Sequence, residues 1–174
     1  AGEPGEARLL IERARATARA ERCRRRGGSR IAIGARPAGS VRQVDIAPRL
    51  QGALSGRTIR AHFQPRVAVS DGRIAGAEAL ARWHDETLGW VSPAEFVPMA
   101  ERAGLVGSLT TRMLDSAVEH AARWRREIDP RFSVGVNLSA ADLLDEAIVG
   151  RTQSVLAAHG ADGDVLELEV TESA

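Results

Sequence analysis

The chain has a single cysteine, Cys23, and neither tyrosine nor lysine among its 174 residues. One thiol cannot close an internal disulfide. That excludes the small disulfide-framed folds and points to a reducing, cytoplasmic setting. No apolar run approaches the roughly 20 residues of a membrane-spanning helix. The opening stretch, Ala1 to Glu6, is small and polar and is no secretory signal. Glycine-rich phosphate loops and Ser/His/Asp nucleophile signatures are missing too. The four histidines, His62, His84, His120 and His159, show no His-x-x-x-His ligand spacing. What remains is 44% hydrophobic and 27% charged. That is an ordinary soluble globular composition, enough for one domain or two small ones.

Every basic residue is arginine, a bias we assign to the source genome rather than to physical design. Charge is nonetheless uneven along the chain. Residues 1–60 hold 14 Arg against 5 acids, and residues 61–174 hold 10 Arg against 18 acids. A basic arm can neutralise phosphates. Here Arg24, Arg25 and Arg26 run into Gly27-Gly28 with no aromatic or amide residues between them. A solvated helix C-terminus, whose dipole favours cations, accounts for that run, and nucleic acid is not an expected partner.

The periodicity divides the chain into two parts. Residues 6–26 read as a helix stopped by the glycine pair, and Arg30 to Gly34 as a short strand. Residues 35–45 read as a linker, and Ile46 to Leu54 as a short helix. Beyond Ile59, strands and helices alternate, which argues for an α/β arrangement with a mostly parallel sheet. Strands are expected at 60–69, 73–82, 132–138 and 165–171, with Asp71-Gly72 turning the first into the second. Ser92-Pro93-Ala94-Glu95 fits a capping box with proline in the first helical turn, and Gly104 fits the stop. Leu109, Met113, Leu114, Ala117, Val118, Ala121, Trp124 and Ile128 form one helical stripe, so Met113 and Trp124 belong to the core.

Alternation along the strands separates apolar from polar faces. One face of residues 78–82 carries Glu78, Leu80 and Arg82. Ser133, Gly135 and Asn137 share the polar face of the next strand, and Glu167, Glu169 and Thr171 that of the last. Three strands thus bring carboxylate or amide oxygen toward their C-terminal ends. A buried carboxylate needs a partner, and a hard divalent cation is one. A polar sheet face turned to water gives the same alternation, so spacing alone leaves both readings open.

Five ordered blocks add a resemblance. They are Phe63-Gln64-Pro65; Gly76 to Trp83, containing Glu78-Ala79-Leu80-Ala81-Arg82; Val91 to Glu101; Val136-Asn137-Leu138-Ser139; and Glu169-Val170-Thr171-Glu172-Ser173. In this order they resemble the EAL-type cyclic-di-GMP phosphodiesterase domain. The resemblance implies a modified TIM-type (β/α) barrel, with about its first half in residues 59–174. It also implies metal-dependent hydrolysis of cyclic-di-GMP to linear pGpG in bacterial signalling. Two Mg2+ or Mn2+ ions would be used. Glu78, Asn137 and Glu169 would be metal ligands, with Glu78 central to catalysis. Gln64, Leu80 and Arg82 would bind substrate, Arg82 through a phosphate. Glu172 would steady a neighbouring loop, while no family role transfers to Glu167.

Residues 1–40 resemble the C-terminal end of a GGDEF-type domain, an α/β remnant joined through a linker helix at 41–58. The Gly-Gly-Asp-Glu-Phe signature is absent, so no cyclase activity is expected. The family's later Asp-Asp-Phe block and lysine have no counterpart in this sequence. The chain by itself is therefore expected to be inactive, with its second metal site incomplete. The intact protein is expected to be a homodimer, with any membrane anchor lying upstream, since no membrane segment is read in this chain. The alternative is a non-catalytic cyclic-di-GMP receptor or a protein-interaction module.

Overall fold

A computed structural model describes residues 40–170. The helix and strand read over 6–34, the Arg24–Arg26 run, Cys23 and Glu172 lie outside the described residues. Helix α1 (Ser40–Ser55) begins inside the stretch read as a linker and continues through Pro48. Ile46, Leu50, Ala53 and Leu54 recur at helical spacing and are all buried. Burial of that stripe outweighs the one backbone hydrogen bond that proline removes.

Strands β1 (Ile59–Val67) and β2 (Ile74–Asp85) form the expected hairpin. The turn is closed by Ala68 N–H on Arg73 O at 2.8 Å, with Gly72 at φ +73°. Only glycine enters that region without strain. β2 runs past its expected end and pairs with a short strand, β3 (Gly89–Val91), which the sequence reading lacked. Next come α2 (Pro93–Arg102), α3 (Val106–Glu127) and β4 (Ser133–Leu138). Then follow α4 (Ala140–Leu143), α5 (Ala147–Ala158), a 3-10 turn (Gly163–Val165) and β5 (Leu166–Val170).

The sheet runs β1-β2-β4-β5, with β3 also on β2. β2–β4 and β4–β5 are parallel, whereas β1–β2 and β2–β3 are antiparallel. The sheet is thus mixed rather than mostly parallel, because a short turn can only return a strand antiparallel. The parallel steps each carry helices across one face. Helix α5, also absent from the sequence reading, buries Val155 and packs Ile148 and Leu156 against the core.

That face holds the core. Ala77, Ala79, Val134, Val136 and Leu138 point to the helices, and the α3 stripe of Leu109, Met113, Leu114, Ala117, Val118, Ala121 and Trp124 closes over them. Met113 and Trp124 are core residues, as the stripe implied. Arg112 ties α3 to the start of the sheet by donating from Nε to Ile59 O at 2.7 Å and from Nη1 to Leu54 O at 3.1 Å. At the N-terminus of α2, the Ser92 N–H donates to the Glu95 carboxylate at 3.1 Å, and Gly104 at φ +67° follows its end. No described helix is long and apolar enough to cross a membrane.

Candidate functional site

The helix-free face of the sheet carries the polar side chains, in rows set by strand register. Gln64 pairs with Glu78, Glu78 with Gly135, and Gly135 with Glu167. Asn137 pairs with Glu169. Asn137 Nδ2 donates to Glu78 Oε1 at 2.7 Å, so these two expected ligands are in contact. Directly after β4 the chain turns at Ser139. There Asp142, 1% exposed, accepts from Ser139 N–H at 3.0 Å, Ser139 Oγ at 2.9 Å and Thr110 Oγ1 at 3.0 Å. A buried carboxylate with three donors locks that turn to α3 and holds the end of β4 that presents Asn137.

Glu169 is placed differently. Its carboxylate leans from the Asn137 row over Gly135, where a Cβ would collide with Oε1. Arg66 meets it there. Arg66 Nη1 donates to Glu169 Oε1 at 3.0 Å and to Glu167 Oε2 at 2.6 Å, and Nη2 donates to Ser133 Oγ at 3.3 Å. Ser133 Oγ in turn donates to Glu167 Oε1. The Arg66 guanidinium, then the Ser133 hydroxyl, hold the Glu167 carboxyl below the usual range for a glutamate. The sequence reading passed over Arg66. The available signal was its phase, since residues 62, 64 and 66 share one face of β1.

Gly76 and Gly135 floor this cluster but differ in what a side chain would strike. On Gly76 a Cβ would sit 2.6 Å from the Ser133 backbone oxygen, whereas on Gly135 it meets the movable end of Glu169. Gly76→Ala is therefore expected to cost about 1–3 kcal/mol of stability through forced strand displacement. Gly135→Ala should cost under about 1 kcal/mol and instead turn Glu169 off Arg66. Urea unfolding of both variants checks this. Equal losses would contradict it.

Arg82 lies two residues beyond Leu80, with Nη1 on Ala81 O at 2.9 Å, and pairs in register with Arg60. Arg60, His62, Arg82, His84 and Trp90 line a recess of about 380 Å³. The exposed Trp90 ring meets His62 and His84 edge-on, at 6.1 and 5.1 Å. Burial, then Arg82 and Arg60, push the His62 pKa below its ordinary value of 6.5. Two arginines against one acid, Glu86, give the recess a positive charge that suits an anion.

Two carboxylates and an amide on neighbouring strands form an all-oxygen donor set for a hard divalent ion, and Gly135, with no side chain, lets the Glu169 carboxylate lie close above the sheet. The residues fit such an ion in chemistry. Among the described residues no three His, Cys, Asp or Glu side chains stand ready together as a chelate. The third donor is Asn137, and Glu169 is engaged by Arg66.

Comparison with known proteins finds relatives of this chain. The Pseudomonas aeruginosa protein named cyclic di-GMP phosphodiesterase PA2567 is 38% identical over 111 residues, which are 64% of this chain and 19% of that protein. The bifunctional diguanylate cyclase/cyclic di-GMP phosphodiesterase MucR of the same organism is 33% identical over 131 residues, 75% of this chain and 19% of its own length. A solved structure of the PaMucR phosphodiesterase in complex with c-di-GMP superposes with a TM-score of 0.70 at 32% identity. It covers 74% of this chain and 52% of that one. The chain thus spans about a fifth of these two curated relatives and about half of the solved phosphodiesterase. The EAL domain model matches residues 47–174. With the ordered strand-borne motifs, a mixed α/β sheet of the same shape and this match over most of its length, the chain belongs to the EAL domain family.

Proposed function

We propose that this chain forms the metal- and phosphate-binding face of a phosphodiesterase that hydrolyses cyclic-di-GMP to linear pGpG. One observation carries the reading. Glu78, Asn137 and Glu169 stand on three adjacent strands of one sheet face, and Arg82 stands two residues past Leu80 on the same face. Relatives named as cyclic di-GMP phosphodiesterases support it.

Glu78, Asn137 and Glu169 would hold Mg2+ or Mn2+. A bound divalent ion of this kind makes water nucleophilic at neutral pH and neutralises charge on the phosphoryl group. The side chains supply the rest. Arg82 offers two parallel N–H donors to a non-bridging phosphate pair. The neighbouring Arg60 adds charge that draws a dianion into the recess. Gln64, opposite Glu78, offers both an amide donor and an acceptor to the nucleotide. Leu80 gives the apolar surface between metal donors and phosphate clamp. Hydrolysis adds water across one phosphorus–oxygen ester bond, leaving a 5′-phosphate on one nucleoside and a 3′-hydroxyl on the other. Glu172 would steady a loop beside the site. With one wall of donors, the 174-residue chain binds cyclic-di-GMP but does not turn it over alone.

Calorimetric titration of cyclic-di-GMP into the chain with Mn2+ tests the reading. Arg82→Ala removes a charged donor pair and is expected to weaken binding roughly 10- to 100-fold. Unchanged affinity would overturn the role of Arg82, and no binding by the wild-type chain would overturn the substrate assignment. Steady formation of pGpG by the wild-type chain would overturn its expected inactivity.

A further inference from the structure

We propose that Arg66 is a built-in counter-cation that holds Glu169 away from the divalent ion, so that loading the metal requires the guanidinium to let go. This rests on the metal reading above. The geometry is specific. One guanidinium spans two strands to reach Glu167 at 2.6 Å, Glu169 at 3.0 Å and Ser133 at 3.3 Å. It can lie flat there because Gly76 and Gly135 carry no side chains. A Cβ on Gly76 would be 3.1 Å from Arg66 Nη2, and one on Gly135 3.4 Å from Nη1. Glu169 is drawn off the Asn137 row to meet it.

Two physical consequences follow. An oxygen lone pair given to a guanidinium is withdrawn from a metal ion, and a fixed positive charge beside Glu169 opposes the approach of a second cation. Without metal, Arg66 compensates two neighbouring carboxylates that would otherwise repel one another. Glu167 then has a purpose that the motif comparison left open. It shares the guanidinium, and it retains Arg66 after Glu169 swings to the metal. Arg66 is thus a positioning residue acting through Glu169.

The test is Mn2+ affinity of the full 174-residue chain, read from the electron paramagnetic resonance of free Mn2+. Arg66→Gln is expected to tighten Mn2+ binding about 10- to 100-fold, the range seen when outer partners of a metal site change. Glu169→Gln in the Arg66→Gln background should remove the gain. Unchanged affinity, or weaker affinity, in a folded Arg66→Gln chain overturns the proposal, as does the absence of Mn2+ binding in both chains. Glu78→Gln separates the two ideas. If it abolishes Mn2+ binding while Arg66→Gln changes nothing, the metal site stands and the Arg66 role falls. If Glu78→Gln changes nothing, the metal site itself falls. Should Arg66→Gln fail to fold, Mg2+ titration of the 15N-labelled wild type still decides. Saturation should shift the Arg66 guanidinium signals as the Glu169 contact is lost while Glu167 keeps hold, and unaltered signals at saturation would overturn the proposal.

Discussion

Glu78→Gln is expected to lower Mn2+ affinity by more than about 100-fold while leaving the fold intact, because removing a direct ligand exceeds the 10- to 100-fold cost of losing an outer partner. The substitution keeps size and shape. A glutamine oxygen can still accept from Asn137 Nδ2, which now reaches Glu78 Oε1 at 2.7 Å. What disappears is one of two negative charges in a donor set whose third member, Asn137, is neutral. A hard divalent ion depends on those charges more than on donor number. The effect should appear in the wild-type chain and in the Arg66→Gln variant alike. Calorimetry with Mn2+, paired with circular dichroism to establish folding, gives the answer. A folded Glu78→Gln chain that binds Mn2+ as the wild type does would remove Glu78 from the metal site.

Trp83→Ala is expected to cost about 3–5 kcal/mol, the range for deleting a large buried aromatic side chain. Against a typical domain stability of about 5–15 kcal/mol, much of the chain would unfold at modest urea concentrations. Trp83 is fully buried, faces Ile59 on β1 and Val91 on β3, and meets the Phe96 ring edge-on at 5.7 Å. It therefore joins the hairpin, the short third strand and α2 in one contact. Its Nε1–H is buried without an acceptor. Trp83→Phe removes that unsatisfied group and should cost only about 1–2 kcal/mol, since the aromatic contact remains. Urea unfolding distinguishes the two. A Trp83→Ala loss under about 1 kcal/mol would show that α2 and the hairpin are not coupled through this residue.

The two variants act on opposite faces of the same strand, and the polar face was legible in the sequence. Alternation in 76–83 put Glu78, Leu80 and Arg82 on one side, and the structure buries Ala77, Ala79 and Trp83 on the other. Turn and cap signals were readable for the same reason: Gly72, Ser92-Pro93 and Gly104 act through their own backbone geometry and their nearest neighbours. Less local features escaped. β3 is only three residues, too short for periodicity, and exists because β2 offers it an edge. Helix α5 has apolar residues spread around it rather than gathered in one stripe, so its buried face is defined by what it packs against. That α1 reaches back past Ile46 to Ser40, inside the stretch read as a linker, depends on the core that receives Ile46 and Leu50.

The site divides along the same line. Phase and motif order placed Glu78, Asn137, Glu169 and Arg82 on one polar face, because side-chain direction along a strand is a local property. Which of those groups touch was decided by strand register, a relation between residues some 60 to 100 positions apart. Register put Asn137 against Glu78, and Gly135 beside Glu78, where the Glu169 carboxylate takes the space a side chain would fill. It also carried Arg66 from the first strand onto two glutamates of the last. Local sequence determines which way a side chain points. Only the packed sheet, with each strand held at one offset by the helices on its far side, determines which charges meet.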